Sequence, residues 1–522
     1  MTTTEHPPSS RSAAADGSAR TGERWLTLID QGRCIGCHAC TTACKAENQV
    51  PVSVTRTFVK NVDVGVFPQV RRAFQVTRCN QCENPPCVAI CPTGAMFARA
   101  DGIVDFDKSS CVGCKACMAA CPYDAIFINP EDHSAEKCNL CAHRLDIGLE
   151  PACVSVCPAQ AILVGTVDDP GSAAARTVAR EPVQVRRPEK GTRPKLRYRG
   201  ATHETLDPLA ARAPDGDTFA WAEKPTGARI VPGGSSGRAN SSAAAVLSYD
   251  VAHRAPWDWR VSLYTWTKSV SAGTYLAAVL LTVLGRAEWD DTFLVWTVPL
   301  ISTVFLAVTA VLLIADQDHP ERFFYVITRG RRGSWLVRGG MALGAFAGLL
   351  GLHLLSGLVG WTQLLGLAAV PGTPVAVLVA VYTAYLFAQA KGRDLWQNPL
   401  LPVHLLVQAV LAGSASLLLV APPAVAEEAL AATLAGAALT HLALVTGELT
   451  MAHPTAHARA AARELTHGRF RRYFWSAQLL IAIGLGAPWA SSWGPVVAVA
   501  ALLGLMAHEH AYVQAGQAVP LA

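Results

Sequence analysis

The chain has 522 residues, of which 51% are hydrophobic and 16% charged, with a mean hydropathy of +0.27. That is too apolar for one soluble protein and too polar for a simple membrane one, so a fusion of two modules is expected. The net charge of +5 is mild and sits mostly in membrane-flanking loops or a linker, so it gives no reason to expect a nucleic-acid partner.

In chain order, Met1 to Glu23 is rich in Ser, Ala, Thr and Gly without an apolar core, and reads as a disordered tail rather than an export signal. All 16 cysteines then fall between Cys34 and Cys157. Cys34, Cys37, Cys40 and Cys44 have the spacing C-x2-C-x2-C-x3-C, and Cys79, Cys82, Cys87 and Cys91 the spacing C-x2-C-x4-C-x3-C followed by Pro92. Cys111, Cys114, Cys117 and Cys121 repeat the first pattern through Pro122, and Cys138, Cys141, Cys153 and Cys157 end at Pro158. Three thiolates two residues apart wrap one corner of a cubane in a tight loop, while the fourth points toward a neighbouring cluster, as in two-cluster ferredoxins. Structural zinc has no use for a repeated x3-C-P ending, and cysteines packed this closely in a cytosolic domain are ligands more often than disulfide partners. His38 and His133 read as solvated loop residues. Asp101-Gly102, flanked by Met96, Phe97, Ile103 and Val104, signals a hairpin.

The quartets together with Ile29-Asp30, Arg78-Cys79-Asn-Gln-Cys82, Pro85-Pro-Cys87 and Lys137-Cys138-Asn-Leu-Cys141 resemble the four-cluster ferredoxin subunit of the dimethyl sulfoxide and polysulfide reductase families. The resemblance implies four 4Fe-4S clusters with crossed ligation. One would be held by Cys34, Cys37, Cys40 and Cys157, and its neighbour by Cys138, Cys141, Cys153 and Cys44. A third would be held by Cys79, Cys82, Cys87 and Cys121, and the fourth by Cys111, Cys114, Cys117 and Cys91.

From Val167 to Pro256 the chain is rich in Arg, Pro, Gly and Ser, including Arg186-Arg-Pro-Glu-Lys-Gly and Pro232-Gly-Gly-Ser-Ser-Gly, and no periodicity survives. A flexible tether is the simpler expectation, although Lys195-Leu-Arg-Tyr-Arg could dock on the ferredoxin module or a partner. Eight apolar stretches follow, at 262–285, 292–315, 335–358, 373–390, 399–420, 427–451, 473–490 and 493–510. Pro371, Gly372 and Pro374 interrupt the fourth, where a half-helix or outer loop from Gly360 is the alternative. The fold expected is an α+β bis-ferredoxin-like domain fused to an all-α eight-helix transmembrane bundle, divided as tail 1–23, ferredoxin domain 24–166, linker 167–256 and membrane domain 257–515. Fourteen arginines and lysines, from Arg254 to Arg472, fall on the side of the N-terminus and only Arg286 opposite, which predicts a cytoplasmic cluster domain and cytoplasmic termini in the inner membrane.

Trp257 to Tyr275, Asp316 to Arg322 with His319-Pro-Glu-Arg, Ser334-Trp-Leu-Val-Arg338, and Ala390-Lys-Gly-Arg-Asp-Leu-Trp396-Gln-Asn398 are similar to NrfD-like membrane anchors of polysulfide reductase. That resemblance implies a haem-free anchor that binds quinone near the face meeting the ferredoxin subunit. Quinone chemistry needs a slot, donors to two carbonyls and a proton route. Candidates are Trp257, Tyr264, Lys268, His319, Tyr385, Gln389 and Asn398. Lys268 inside the first span is either functional or a lysine that snorkels to the interface. His353, His404 and His441 lie within spans, but haem, which needs two histidines on facing helices at similar depth, is not expected. Glu448 either belongs to a proton path or pairs with the basic loop after it.

The function expected is non-catalytic: an electron-transfer and anchor subunit passing electrons between a separate molybdopterin-containing catalytic subunit and membrane quinone. The alternatives are an anchor for a hydrogenase or other dehydrogenase, and a redox-coupled proton-translocating module, for which the spans hold few acids beyond Glu448 and Glu509.

Overall fold

The computed structural model describes residues 24–212, 244–420, 422–490 and 493–522. The tail 1–23 and the Pro232 glycine-serine stretch lie outside the described residues. The chain divides into two compact units: Met1–Gly113 with Cys121–His253 and Leu521–Ala522, and Cys114–Ala120 with Arg254–Pro520.

The first unit is built on β1 (Trp25–Asp30), whose alternation covers both of its faces. Leu26 and Leu28 pack on Ala174 of a helix on one side, and Ile29 packs with Cys40, Val59, Val76 and Tyr198 on the other. A long hairpin joins β2 (Thr57–Val66) and β3 (Gln69–Arg78), in register from Thr57 opposite Arg78 to Val66 opposite Gln69. The predicted hairpin forms from β4 (Met96–Ala98) and β5 (Val104–Phe106), with Gly102 at φ +77° in the turn. A second small hairpin pairs β6 (Ile126–Ile128) with β7 (Ala135–Lys137). The cysteine loops lead into or lie beside short helices: α1 (Ala39–Asn48), α2 (Pro86–Ile90), α3 (Ala116–Ala120, carried by the second unit), α4 (Ala142–Leu145) and α5 (Ala152–Ser155).

The tether expected over 167–256 is corrected for its described residues. After β8 (Ile162–Thr166) come α6 (Ala173–Arg180), β9 (Val183–Gln184), β10 (Leu196–Arg199), α7 (His203–Leu206) and β11 (Ala245–Tyr249). β10 pairs in parallel with β1, giving the order β8-β1-β10-β9, and β11 adds to the free edge of β2. A parallel strand needs a long crossover, and here the connection from β1 to β10 carries all four cysteine quartets and ends in the Arg- and Pro-rich segment. In Lys195-Leu-Arg-Tyr-Arg, Leu196 and Tyr198 are buried at 1% and 0% exposure while the arginines point outward, so the stretch has strand periodicity over only four residues.

The second unit is helical: α8 (Trp259–Val283), α9 (Val298–Ala315) entered by a π turn at Phe293–Thr297, α10 (Tyr325–Thr328), α11 (Trp335–Val359), α12 (Gln363–Gln389), α13 (Leu401–Leu418), α14 (Ala424–Thr450), α15 (Ala456–Thr466), α16 (Arg471–Ile483) and α17 (Gly494–Ala518). Six helices among the described residues are long and apolar enough to cross a membrane, namely Phe293–Ala315, α11, α12, α13, α14 and α17. The first and seventh predicted stretches are also helical, as α8 and as α16 continued by a 3-10 segment, Gly484–Trp489.

The half-helix alternative near Gly360 gives way to one continuous helix, α12, with Pro371 and Pro374 inside it. Prolines are tolerated in such helices where neighbours re-satisfy the freed backbone groups. Gly372 between them admits the Tyr275 hydroxyl, which would lie 2.2 Å from an added Cβ. α8 and α13 cross most closely at Gly273 and Gly413, where a Cβ on Gly273 would stand 1.8 Å from the Ala409 carbonyl oxygen.

Candidate functional site

The cysteine loops share one backbone device. The residue two after the first cysteine of each quartet, Gly36, Gln81, Gly113 and Leu140, is left-handed at φ +69°, +47°, +68° and +60°. The residue three after the last cysteine repeats it at Gly94, Asp124 and Gln160. These turns fold each C-x2-C tightly and turn backbone N–H groups toward sulfur: Leu140 donates to Cys138 Sγ at 3.4 Å, Met96 to Cys91 Sγ at 3.4 Å and Ala161 to Cys157 Sγ at 3.3 Å, while Cys111 Sγ accepts at 3.4 Å from Ala135 at the start of β7. At Gly36 only glycine fits, since a Cβ would meet the Phe74 ring at 2.2 Å.

Cys34, Cys37, Cys40 and Cys157 line one cavity with Ile35, His38, Val59 and Val76. Cys79, Cys82, Cys87 and Cys121 line another with Pro85, Pro86, Tyr123 and Ile126. Cys44, Cys138, Cys141 and Cys153 are likewise gathered: Asn48 Nδ2 lies 3.7 Å from Cys44 Sγ and 3.8 Å from Cys141 Sγ, and Cys153 and Cys138 are within electrostatic reach of Cys44. Cys91 ends α2, Cys111 precedes α3, and Cys114 and Cys117 belong to the second unit. His38, expected in solvent, is half-buried on the first cavity's wall and stands edge-on to Tyr249 at 4.8 Å.

The donor set fits an anionic iron-sulfur cluster. Burial above all, with the neighbouring Cys153, pushes the Cys40 thiol up to about 11, and burial raises Cys44 and Cys87 as well. Buried thiols side by side stay protonated until a metal takes the thiolates. Arg78, fully buried, donates from Nη1 to Cys153 Sγ at 3.1 Å, and Lys137 exerts its charge on Cys79 and Cys87. Each cation favours the thiolate over the thiol.

In the second unit six of the seven quinone candidates fall into three groups, and His319 stands apart from them. Trp257 is buried and stacks on Trp396 at 5.4 Å and Phe387 at 5.9 Å, and its indole N–H donates to the Cys114 carbonyl at 3.1 Å within this unit. Lys115, from the same cysteine loop, reaches the Asp316 carbonyl at 2.8 Å and the Asp318 carboxylate at 3.2 Å. Tyr264 is buried on α8 one turn from Lys268. Lys268 does not snorkel: it is 0% exposed, Nζ donates to the Ala380 carbonyl at 2.6 Å, and it lies 5.2 Å over the Tyr382 ring.

Tyr385 and Gln389 form a second group around Trp335. Tyr385 stacks on that indole at 4.4 Å, and Gln389 accepts from the Trp335 backbone and donates to Gly333, which fixes the start of α11. His319 pairs with Glu321 at 2.9 Å in its loop. Asn398 belongs to a third group: its Nδ2 donates to Glu448 at 2.7 Å, and Glu448 also faces His404 Nδ1 at 3.1 Å. Glu448 is therefore tied to two neighbouring helix elements rather than only to the loop that follows it. His404 and His441 touch directly, Nε2 to Nδ1 at 3.0 Å, which leaves no space for a porphyrin between them, while His353 stands among Tyr275 and Trp289. Sequence reasoning missed Phe387 and Tyr382, which carry only apolar or aromatic helix periodicity, and His508, which is distant in sequence from its partners. Trp396 lies within the Ala390–Asn398 motif.

Comparison with known families agrees with this division. A 4Fe-4S binding domain matches residues 25–46, a 4Fe-4S dicluster domain matches 70–167, and the family Polysulphide reductase, NrfD matches 248–521. A tetrathionate reductase subunit of Salmonella typhimurium is 45% identical over 202 residues, 38% of this chain and 80% of the relative. A polysulfide reductase polypeptide of Wolinella succinogenes is 44% identical over 177 residues, 33% of this chain and 93% of the relative. Protein NrfC of Escherichia coli is 42% identical over 178 residues, 34% of this chain and 80% of the relative. With a multi-pass helical domain that covers more than half of its length in the family match, the protein belongs to the NrfD polysulphide reductase family, fused here to an iron-sulfur electron-transfer domain.

Proposed function

We propose that the chain is the electron-transfer and membrane-anchor subunit of a molybdopterin-type oxidoreductase complex, carrying electrons between a separate catalytic subunit and membrane quinone. Four 4Fe-4S clusters form the wire, each held by three cysteines of one quartet and one of another. The clusters supply one-electron chemistry; the chain's residues hold and tune them. The observation that carries the reading is the convergence of cysteines from separate quartets, with Cys157 joining Cys34, Cys37 and Cys40, and Cys121 joining Cys79, Cys82 and Cys87.

The quinone end is supported by Trp257, whose indole is bonded to the Cys114 carbonyl and stacked on two further rings. A flat aromatic stack suits a quinone ring, and Lys268, Tyr264 and Asn398 offer donors or proton carriers for the two protons that accompany two electrons. Eight membrane-crossing helices with the clusters and termini on the cytoplasmic side are favoured by the distribution of Arg and Lys. The relatives named as reductase subunits make a catalytic partner expected for this chain too.

The test is cluster reduction by a menaquinol analogue in the complex purified in detergent, followed by electron paramagnetic resonance. Cluster signals that appear with quinol and vanish with a quinone-site inhibitor support the reading. Clusters reduced by dithionite but untouched by quinol overturn the quinone link. A co-purifying subunit with pterin fluorescence after acid extraction, rather than nickel, distinguishes the molybdopterin partner from a hydrogenase.

A further inference from the structure

We infer that the second unit holds a transition-metal ion of the zinc or copper class on His404, His441 and His508. The three residues come from α13, α14 and α17, and one ring nitrogen of each lies within 4.8 Å of the other two. Their ring centroids are 4.8, 5.5 and 4.7 Å apart, and all three side chains are buried, at 1%, 0% and 2% exposure.

The surroundings are those of a supported metal site. His404 Nδ1 faces Glu448 Oε1 at 3.1 Å, and Asn398 fixes that carboxylate at 2.7 Å. A carboxylate accepts, so Nδ1 carries a proton, and in the neutral imidazole Nε2 is then a lone pair. That lone pair points at His441 Nδ1, 3.0 Å away. Either His441 places its proton on Nδ1, and then its buried Nε2 is a lone pair with no partner, or it places the proton on Nε2, and two lone pairs face each other. With both rings neutral, either tautomer leaves a buried nitrogen lone pair unmet, a place that a metal ion or a second proton would fill. His508 is held on its far side, with Nδ1 3.1 Å from the Gln478 amide. The Gln478 carbonyl oxygen has no partner in the present orientation. Turning that amide over directs its oxygen at Nδ1–H and frees His508 Nε2 as a third lone pair.

Hydrogen-bond partners that fix the tautomer of each histidine are the usual support of a metal site. Zn–N bonds of about 2.0–2.1 Å put tetrahedral nitrogens roughly 3.3 Å apart, close to the 3.0 Å pair, and the third ring closes by a swing of about 1–2 Å. An all-imidazole set selects zinc or copper over magnesium or calcium, which prefer oxygen. Glu448, and Glu509 beside His508 with a buried unpartnered carboxylate oxygen, supply the negative charge a divalent ion needs in this apolar interior. The ion would clamp three spanning helices at a point where polar side chains of distant sequence converge.

The experiment uses the intact complex, purified after growth with zinc and copper and washed with a chelator. Plasma mass spectrometry is expected to find one zinc or copper per chain in addition to the iron, and absorption at that metal's X-ray edge a shell of nitrogen at about 2.0–2.1 Å. The double variant H441A/H508A is expected to lose that metal at least tenfold while keeping its iron. Retention in the variant means an adventitious ion only and overturns the proposal. If the variant does not accumulate, cobalt dialysed into the wild-type complex decides: a tetrahedral visible spectrum supports the site, and its absence at saturating cobalt overturns it.

Discussion

Two fully buried cations show how differently the two units handle charge. Arg78 in the first unit donates to the sulfur of Cys153, so its charge faces a group that becomes anionic on ligation. Lys268 in the second donates to a backbone carbonyl and covers a tyrosine ring, with Glu509 as the acid within electrostatic reach. The first cation stabilises a site that is anionic at rest. The second is an ionisable group inside an apolar interior, where a group held at such cost is a functional candidate. The first unit is organised around ligand loops whose turns are set within four residues. The second depends on close helix crossings such as Gly273 on Gly413, and on polar side-chain networks such as Asn398–Glu448–His404–His441.

Four experiments break or sharpen that contrast. The largest effect is expected for Gly413→Leu, since a Cβ there already meets the Gly273 carbonyl at 2.0 Å. Loss of several kcal/mol is expected where backbones must separate, read as loss of the detergent-stable protein from membranes, with iron in the residual material unchanged. Wild-type accumulation would show that the crossing does not hold the bundle together. Next, Cys82→Ser is expected to remove one cluster, about four iron atoms per chain, because a cubane uses all four thiolates. Iron analysis with paramagnetic resonance checks it, and unchanged iron would remove Cys82 from the ligand set.

Lys268→Met is expected to lower quinol-dependent turnover at least tenfold, ~1.4 kcal/mol, with cluster signals intact. Unchanged kinetics would make the lysine a packing residue. The smallest effect concerns the first unit alone. His253 faces Asp124 at 2.5 Å and Asp250 at 3.1 Å, and despite the cost of burial these carboxylates push it up to about 10. Because that value lies above the ordinary one of about 6.5, the pair stabilises fully below pH 6.5 and loses its contribution as pH rises toward 10. His253→Gln is therefore expected to lower the melting temperature at pH 6 by a few degrees and to flatten its decline between pH 6.5 and 10. A variant that melts in parallel with the wild type over that range would sink the assignment.

Much of the first unit was legible because its information is local. The Asp101-Gly102 hairpin forms where its turn residues place it, and the cysteine spacings give left-handed turns at the same offset in all four quartets. β10 was not legible. Leu196 and Tyr198 are two apolar residues in an arginine-rich segment, and only the open edge of β1 makes that stretch a strand. In the second unit, hydropathy marked the helices, since a span must satisfy its backbone internally and turn apolar side chains outward. It did not mark the continuity of α12 through two prolines, nor the side to which Lys268 turns.

What the sequence by itself determined is the set of metal-binding loops, the separation into a cysteine-rich module and a membrane module, and the location of the helices. Each follows from spacing or hydropathy within a short window, where the chain's own covalent geometry limits the choices. Spacing alone left open which cysteines of distant quartets share a cavity, and only the resemblance to a known family implied the sets that the structure gathers; how β10 closes the sheet, and that His404, His441 and His508 meet, were decided only by the tertiary structure. Those outcomes join residues far apart in the chain, and their geometry is fixed by the packing of whole strands and helices rather than by any local pattern.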